Sequence, residues 1–178
     1  YPRCFKGDIR KIYAQGEVFL EVAHDKKHPF IVESDDFKLQ VLGTKFNISN
    51  YKGGTTNIVL VEGAVEVTDK NEKKARLNPN DLLNIANGTI AYQKQVDVAE
   101  YISWVEGIML LNGNDLSQII QRLSIYYGIS IQCDPIIGKE KVYGKLDLKD
   151  DIDEVIECIQ QTLPFTIEKS DTSIYLNK

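Results

Sequence analysis

The side chains best suited to chemistry are few and lie in two places. His24 and His28, the only histidines in 178 residues, share the turn His24-Asp25-Lys26-Lys27-His28-Pro29. A nucleophile–base pair needs a serine or cysteine held within hydrogen-bond reach by rigid surroundings, which a charged hairpin tip rarely supplies. No Gly-x-Ser-x-Gly, P-loop or His-Glu-x-x-His pattern occurs. The second place is the acidic group Asp147, Asp150, Asp151, Asp153 and Glu154. Its charge would suit calcium, but the mid-loop glycine and terminal glutamate of an EF-hand loop are missing in register. Carboxylates gathered at a helix N-terminus, where the dipole favours them, explain the group without a metal. No catalytic residue, metal site or cofactor is therefore expected, and the chain reads as non-enzymatic.

Other candidates are weaker. Cys4, Cys133 and Cys158 are an odd number at long spacing, which fits neither a paired disulfide framework nor a metal cluster. Cys158 is expected to be buried as a small apolar side chain. Tyr13, Tyr51 and Tyr92 would make a sugar platform if they shared a face, so a carbohydrate-binding or envelope-adaptor module is the alternative reading. Asn47-Ile48-Ser49 and Asn87-Gly88-Thr89 match the glycosylation pattern, which recurs by chance.

Composition narrows the partners. The hydrophobic fraction of 43% and charged fraction of 26% are those of a globular protein, in a chain long enough to bury a real core. A net charge of -5 argues against nucleic acid, whose phosphates call for clustered Lys and Arg. The basic tract Lys70 to Arg76 is interrupted by Asn71, Glu72 and Ala75 and reads as a solvated turn. No apolar run approaches the roughly 20 residues of a spanning helix. The sequence opens at Tyr1-Pro2-Arg3 with neither a start methionine nor a signal peptide, so it is expected to be part of a longer chain.

The elements that position these residues follow from periodicity. The stretch Asn57 to Thr68 alternates, with Val59, Val61, Gly63, Val65 and Val67 on one face, and predicts one long half-buried strand. Gly63 on that face suggests a bulge or the close approach of another backbone. Val18, Leu20 and Val22 share a face of a strand over 17–23, and Phe30-Ile31-Val32 begins another. Asp35-Asp36 reads as a hairpin connection. Phe37, Leu39 and Val41 have one parity, and Thr44, Phe46 and Ile48 the other. A bulge or bend at Gly43 keeps both halves on one core. Gly53-Gly54, Asn78-Pro79-Asn80-Asp81 and Asn87-Gly88 are turns, and the whole stretch to about Tyr92 predicts a β-sandwich or roll.

Four blocks then carry a resemblance. They are Gly16 to Ala23, Pro29 to Val32, Val41 to Asn47 and Val61 to Val67, in order and at similar spacing. Together they resemble the FecR family, the periplasmic portions of membrane-bound anti-sigma factors. Tyr1-Pro2 and Phe5 share the likeness, whereas Pro79-Asn80-Asp81 departs from the family's Pro-Gly-Glu turn. Asn80 tolerates the left-handed conformation, so the turn is expected to survive.

Residues 97–107 predict a helical connector: Val98, Tyr101, Ile102 and Val105 fall at helical spacing and Gly107 is a stop. Trp104 is expected to plug the core between two domains. Residues 108–178 contain an internal repeat at an offset of about 36 positions, which pairs Asp115 with Asp151, Ile119 with Val155 and Leu123 with Ile159. Each copy predicts an amphipathic helix and then a short strand, with Asn114 and Asp150 as N-caps. Strand-like segments precede each helix, at 108–111 and 142–148. The fold expected is α+β: an antiparallel β-sandwich or roll over 1–96, then a β-α-β repeat unit with both helices on one face of a sheet. The second unit is similar to the short N-terminal domain of secretins and TonB-dependent transducers, a likeness that Leu163-Pro164-Phe165 strengthens.

The resemblance implies a role. The chain would be the periplasmic part of a single-pass inner-membrane protein in a Gram-negative envelope, relaying a signal from a TonB-dependent outer-membrane transporter. An extracytoplasmic-function sigma factor would be bound by a cytoplasmic segment outside this sequence, and the membrane would be met only through an N-terminal helix. Contact with the transporter's N-terminal signalling domain would run along an edge strand at Ile174, Tyr175 and Leu176, by strand addition.

Overall fold

The computed structural model describes residues 5, 9–51, 54–170 and 172–178. Tyr1, Pro2, Cys4 and Gly53 lie outside the described residues. The chain divides into two compact units, Tyr1–Ile102 and Ser103–Lys178.

The first unit is built of β1 (Arg10–Tyr13), β2 (Gly16–Val22), β3 (Phe30–Glu33), β4 (Phe37–Val41), β5 (Thr44–Asn50), β6 (Thr56–Glu62), β7 (Val65–Asp69), β8 (Lys74–Leu77), β9 (Asp81–Ala86) and β10 (Thr89–Gln95). They form two five-stranded sheets, ordered β1-β3-β4-β7-β8 and β10-β9-β6-β5-β2. Every pairing is antiparallel except β1 with β3, which runs parallel. Alternate residues of both sheets meet in one core, in which Val32, Leu39, Phe46, Ile58, Leu60, Val67, Leu77 and Leu83 are fully shielded. Each such side chain contributes about 1.5–3 kcal/mol by leaving water.

The stretch 57–68 is two strands rather than one. β6 and β7 belong to different sheets, and the chain crosses between them at Gly63-Ala64. The corner changes the parity: Ile58 and Leu60 point into the core before it, Val65 and Val67 after it, and Val59 is buried outside that core. Alternation by itself cannot reveal this, because Ile58 and Leu60 are apolar on what reads as the polar face. Gly63 meets the close backbone approach that its sequence position suggests. Its φ is +95°, and a Cβ there would lie 2.7 Å from the Gly43 carbonyl oxygen. Gly43 marks the matching crossing from β4 to β5, so the bend expected there keeps both halves on one core while changing sheets. Asn80 adopts a φ of 70°, as a left-handed turn requires.

The connector holds a single helical turn, α1 (Ala99–Ile102), and a 3-10 turn at Ser103–Glu106, which ends at Gly107 with φ +79°. Trp104 packs against the core of the second unit.

The second unit comprises β11 (Ile108–Asp115), α2 (Leu116–Tyr127), β12 (Ser130–Cys133), β13 (Lys141–Asp147), α3 (Ile152–Gln160), β14 (Thr166–Lys169) and β15 (Ser173–Asn177). The expected single sheet is two: an antiparallel pair β11-β13 and a three-stranded sheet β12-β15-β14. Leu116, Ile119, Ile120 and Leu123 of α2 and Val155, Ile156 and Ile159 of α3 are buried in one shared core. The helix caps fall one residue later than Asn114 and Asp150. They are Asp115 and Asp151, and Asp151 Oδ1 accepts from the Asp153 and Glu154 amides at 3.0 Å. The side chain of Asn114 is instead turned back to accept from the Asn112 amide.

Two pairs of substitutions test this account. Gly128→Ala meets open space at a φ of +68°, so chemical denaturation is expected to show only the left-handed strain of about 1–2 kcal/mol. Gly63→Ala carries that strain and the clash with Gly43, which adds about 1–3 kcal/mol. Asp151→Ala is expected to cost about 1 kcal/mol in the same measurement as a lost N-cap, and Asp150→Ala far less.

Candidate functional site

The reactive side chains serve the fold. The Asp25 carboxylate receives His28 Nδ1 at 2.7 Å and the Lys27 and His28 amides at 2.9 and 3.2 Å. The His28 contact, with the Lys27 amide next, holds the Asp25 carboxyl at about 2. The Asp25 amide donates to Leu42 O at 2.6 Å, and His24 lies against Gly43 closely enough that a Cβ on Gly43 would collide with it. The turn therefore braces the β4–β5 crossing. Arg10 is fixed to the same turn through Nε to His28 O, at 2.9 Å, and ties down β1.

The acidic group behaves likewise. Asp151 caps α3, Asp147 Oδ1 accepts from the Lys149 amide, and Asp153 pairs with Lys169 at 2.8 Å. Among the described residues no three metal-binding side chains converge. The tyrosines do not form a platform. Tyr13 lies on β1 of one sheet and Tyr92 on β10 of the other, while the Tyr51 hydroxyl donates to Glu17 at 3.0 Å. Asn47 is buried and donates from Nδ2 to Glu17, so it has no room for a glycan.

Two further expectations are corrected. Cys158 is exposed, because the helical spacing of Val155, Ile156 and Ile159 turns it to the outer side of α3. Cys133 is half-buried against the core, and that burial pushes its thiol above the ordinary value. Ile174, Tyr175 and Leu176 do not form an edge. β15 is the central strand, parallel to β12 on one side and antiparallel to β14 on the other, so both rows of its main-chain groups are engaged. Ile174 and Leu176 are buried in the core, and strand addition along β15 is ruled out. Among the described residues, four strands of this unit pair on one side only: β11, β12, β13 and β14. The sequence carried a signal for one of them, the uncharged run from Gly107 to Asn114.

One buried charge stands out. Asp69, 4% exposed, ends β7 and accepts from the Ile90 amide of the opposite sheet at 3.0 Å, and from the Asn71 and Lys73 amides at 2.8 and 3.0 Å. These amides, Ile90 first, hold its carboxyl below the ordinary value. The residue stitches the two sheets together at the end of the sandwich.

These features define a class: a β-sandwich followed by a duplicated β-α unit, whose ionisable groups hold corners and helix ends. Comparison with known proteins gives the family. Residues 6–66 match the profile of the FecR protein family and residues 108–176 that of FecR, C-terminal. Two crystal structures of a "putative anti-sigma factor" from Parabacteroides distasonis ATCC 8503 share 31% identity, covering all of this chain and 84% of that one, with TM-scores of 0.83 and 0.82. No curated protein matches. The chain belongs to the FecR family of anti-sigma regulators. FecR-type regulators are membrane-associated, and among the described residues no helix is long and apolar enough to cross a membrane.

Asp69 yields a pH prediction. A carboxyl held below its ordinary value of 3.8 adds stability that is complete above that value and is lost as the pH falls through the folded one. Asp69→Asn is expected to lower the melting temperature at pH 7. The gap from the unaltered protein should narrow below about pH 4, as calorimetry at pH 7 and pH 3 would show.

Proposed function

We propose that the chain is the periplasmic portion of a membrane-bound anti-sigma factor, which passes a signal from a TonB-dependent outer-membrane transporter to an extracytoplasmic-function sigma factor. The observation that carries the reading is the match of both units, in order, to the two models of one regulatory family, with a likeness over the whole of this chain to the structure of a "putative anti-sigma factor". The second unit supports it. Its two-stranded and three-stranded sheets around two equivalent helices suit the short signalling domain that secretins and transducers carry, so receiver and sender would be built alike.

In this reading the reaction is an exchange of partners. The transporter's signalling domain binds one arrangement of the regulator more tightly than another, and that difference in affinity is what crosses the membrane. With Asp25, Asp69 and Asp151 committed to main-chain amides, recognition would fall to other surface groups. The sigma factor would be held by a segment on the cytoplasmic side.

The test is a titration of the isotope-labelled chain with the isolated N-terminal signalling domain of a TonB-dependent transporter. Amide shifts concentrated in residues 108–177 are the expected result. A spectrum unchanged at saturating domain would refute the relay.

A further inference from the structure

The duplication supplies its own comparison, because the outward residues of α2 and α3 correspond at the repeat offset. On α3 these are Asp153, Glu154, Glu157, Cys158, Gln161 and Thr162, all exposed. Their counterparts on α2 are Ser117, Gln118, Gln121, Arg122, Ile125 and Tyr126, with Arg122 half-exposed and the rest exposed. The second unit carries 12 acidic and 7 basic side chains over residues 103–178, yet α2 has no Asp or Glu in its twelve residues. Where α3 ends its outer side in Gln161 and Thr162, α2 ends in Ile125 and Tyr126, 43% and 44% exposed. The core does not require this difference, since the buried sides match: Ile119 with Val155, Ile120 with Ile156, Leu123 with Ile159.

The outer face of α2 is also held in place. Gln118, Arg122 and Tyr126 stack at four-residue spacing, with Gln121 and Ile125 beside them. The Tyr126 ring meets the Tyr127 ring edge-on, with centroids 5.1 Å apart. The Tyr127 hydroxyl in turn lies 3.1 and 3.0 Å from the carbonyl oxygens of Leu148 and Asp150, just before α3. Tyr126 therefore stands on a fixed support, and a side chain ordered beforehand loses less freedom on binding. Asp147, Asp150 and Asp151 act on the Tyr127 hydroxyl, whereas Arg122 lies a turn earlier and makes no ion pair among the described residues. Tyrosine and arginine are the types that carry most of the energy at protein interfaces.

We propose that the outer face of α2 docks a protein surface that offers a carboxylate to Arg122 and an apolar side chain to Ile125 and Tyr126. Charge selects this partner. An acidic surface is repelled by the carboxylates of α3, and on α2 it meets a guanidinium with no carboxylate beside it in the helix; a basic surface would settle on α3 instead. The partner's identity rests on the relay reading, in which this surface belongs to the transporter's signalling domain.

The test is calorimetric titration of the whole chain with the isolated signalling domain of a TonB-dependent transporter, at about 50 and about 300 mM salt, where an exposed ion pair is screened to different extents. Binding is expected to weaken with salt. Arg122→Gln should weaken it roughly tenfold and remove most of the salt dependence, and Tyr126→Ser should weaken it by a similar factor. Glu157→Gln, at the α3 position equivalent to Gln121, should not weaken it. Circular dichroism should be unchanged in all three, since each side chain lies on an outer face. A domain that binds both Arg122→Gln and Tyr126→Ser as well as the unaltered chain overturns the docking face and leaves the relay standing. A domain that does not bind the unaltered chain overturns both. A dimer of the chain alone that Tyr126→Ser dissolves gives the face to a second copy and overturns the proposal as well.

Discussion

The first unit rests on one close approach, that of Gly63 to the carbonyl of Gly43. Two connections, β4 to β5 and β6 to β7, leave one sheet and enter the other at the same corner, and they pass back to back. Any side chain at Gly63 would occupy the place of the neighbouring backbone. The Thr44 hydroxyl closes the junction by donating to Ala64 O at 3.0 Å. With these crossings fixed, strands adjacent in sequence become opposite walls of one core. The histidine turn then has its use, since His24 and the Asp25 amide press on the same corner from outside.

The second unit obeys a different constraint, that of duplication. β11 and β13 are the first strands of two equivalent copies and pair with each other; β12 and β14 are the last strands and cannot meet, because β15 lies between them. Residues 130–133 and 166–169 lie at the repeat spacing and flank β15 on its two sides. A terminal strand in that seam satisfies both copies at once. This is why the chain's last strand is the most enclosed of the sheet rather than its edge, and why unpaired backbone is left on the strands of the repeats themselves.

The two units share a way of using charge. Asp25, Asp69 and Asp151 each accept from two or more main-chain amides, and each holds a place where the backbone turns or begins a helix. At Asp25 and Asp69 the surrounding donors hold the carboxyl below its ordinary value, which suits it to fixing a loop. That is the chemistry of a scaffold.

Much of this was legible in the residues. Alternation placed most of the strands, the helical spacing and the 36-residue offset gave both helices, and four ordered blocks pointed to the family, because these are local patterns repeated along the chain. Asn80 announced its own turn, since few other residues accept a positive φ. What alternation could not decide was which sheet a strand joins: Ile58, Val59, Leu60 and Val61 are all apolar, so only packing shows that Gly63 is a corner and not a bulge. Nor could it place β15, because the order of strands in a sheet depends on pairings between residues far apart in sequence. Local patterns were enough for most of the elements and for the family; packing decided where one strand became two and which strands of the described residues ended at an edge, because an edge exists only after every other strand has found its place.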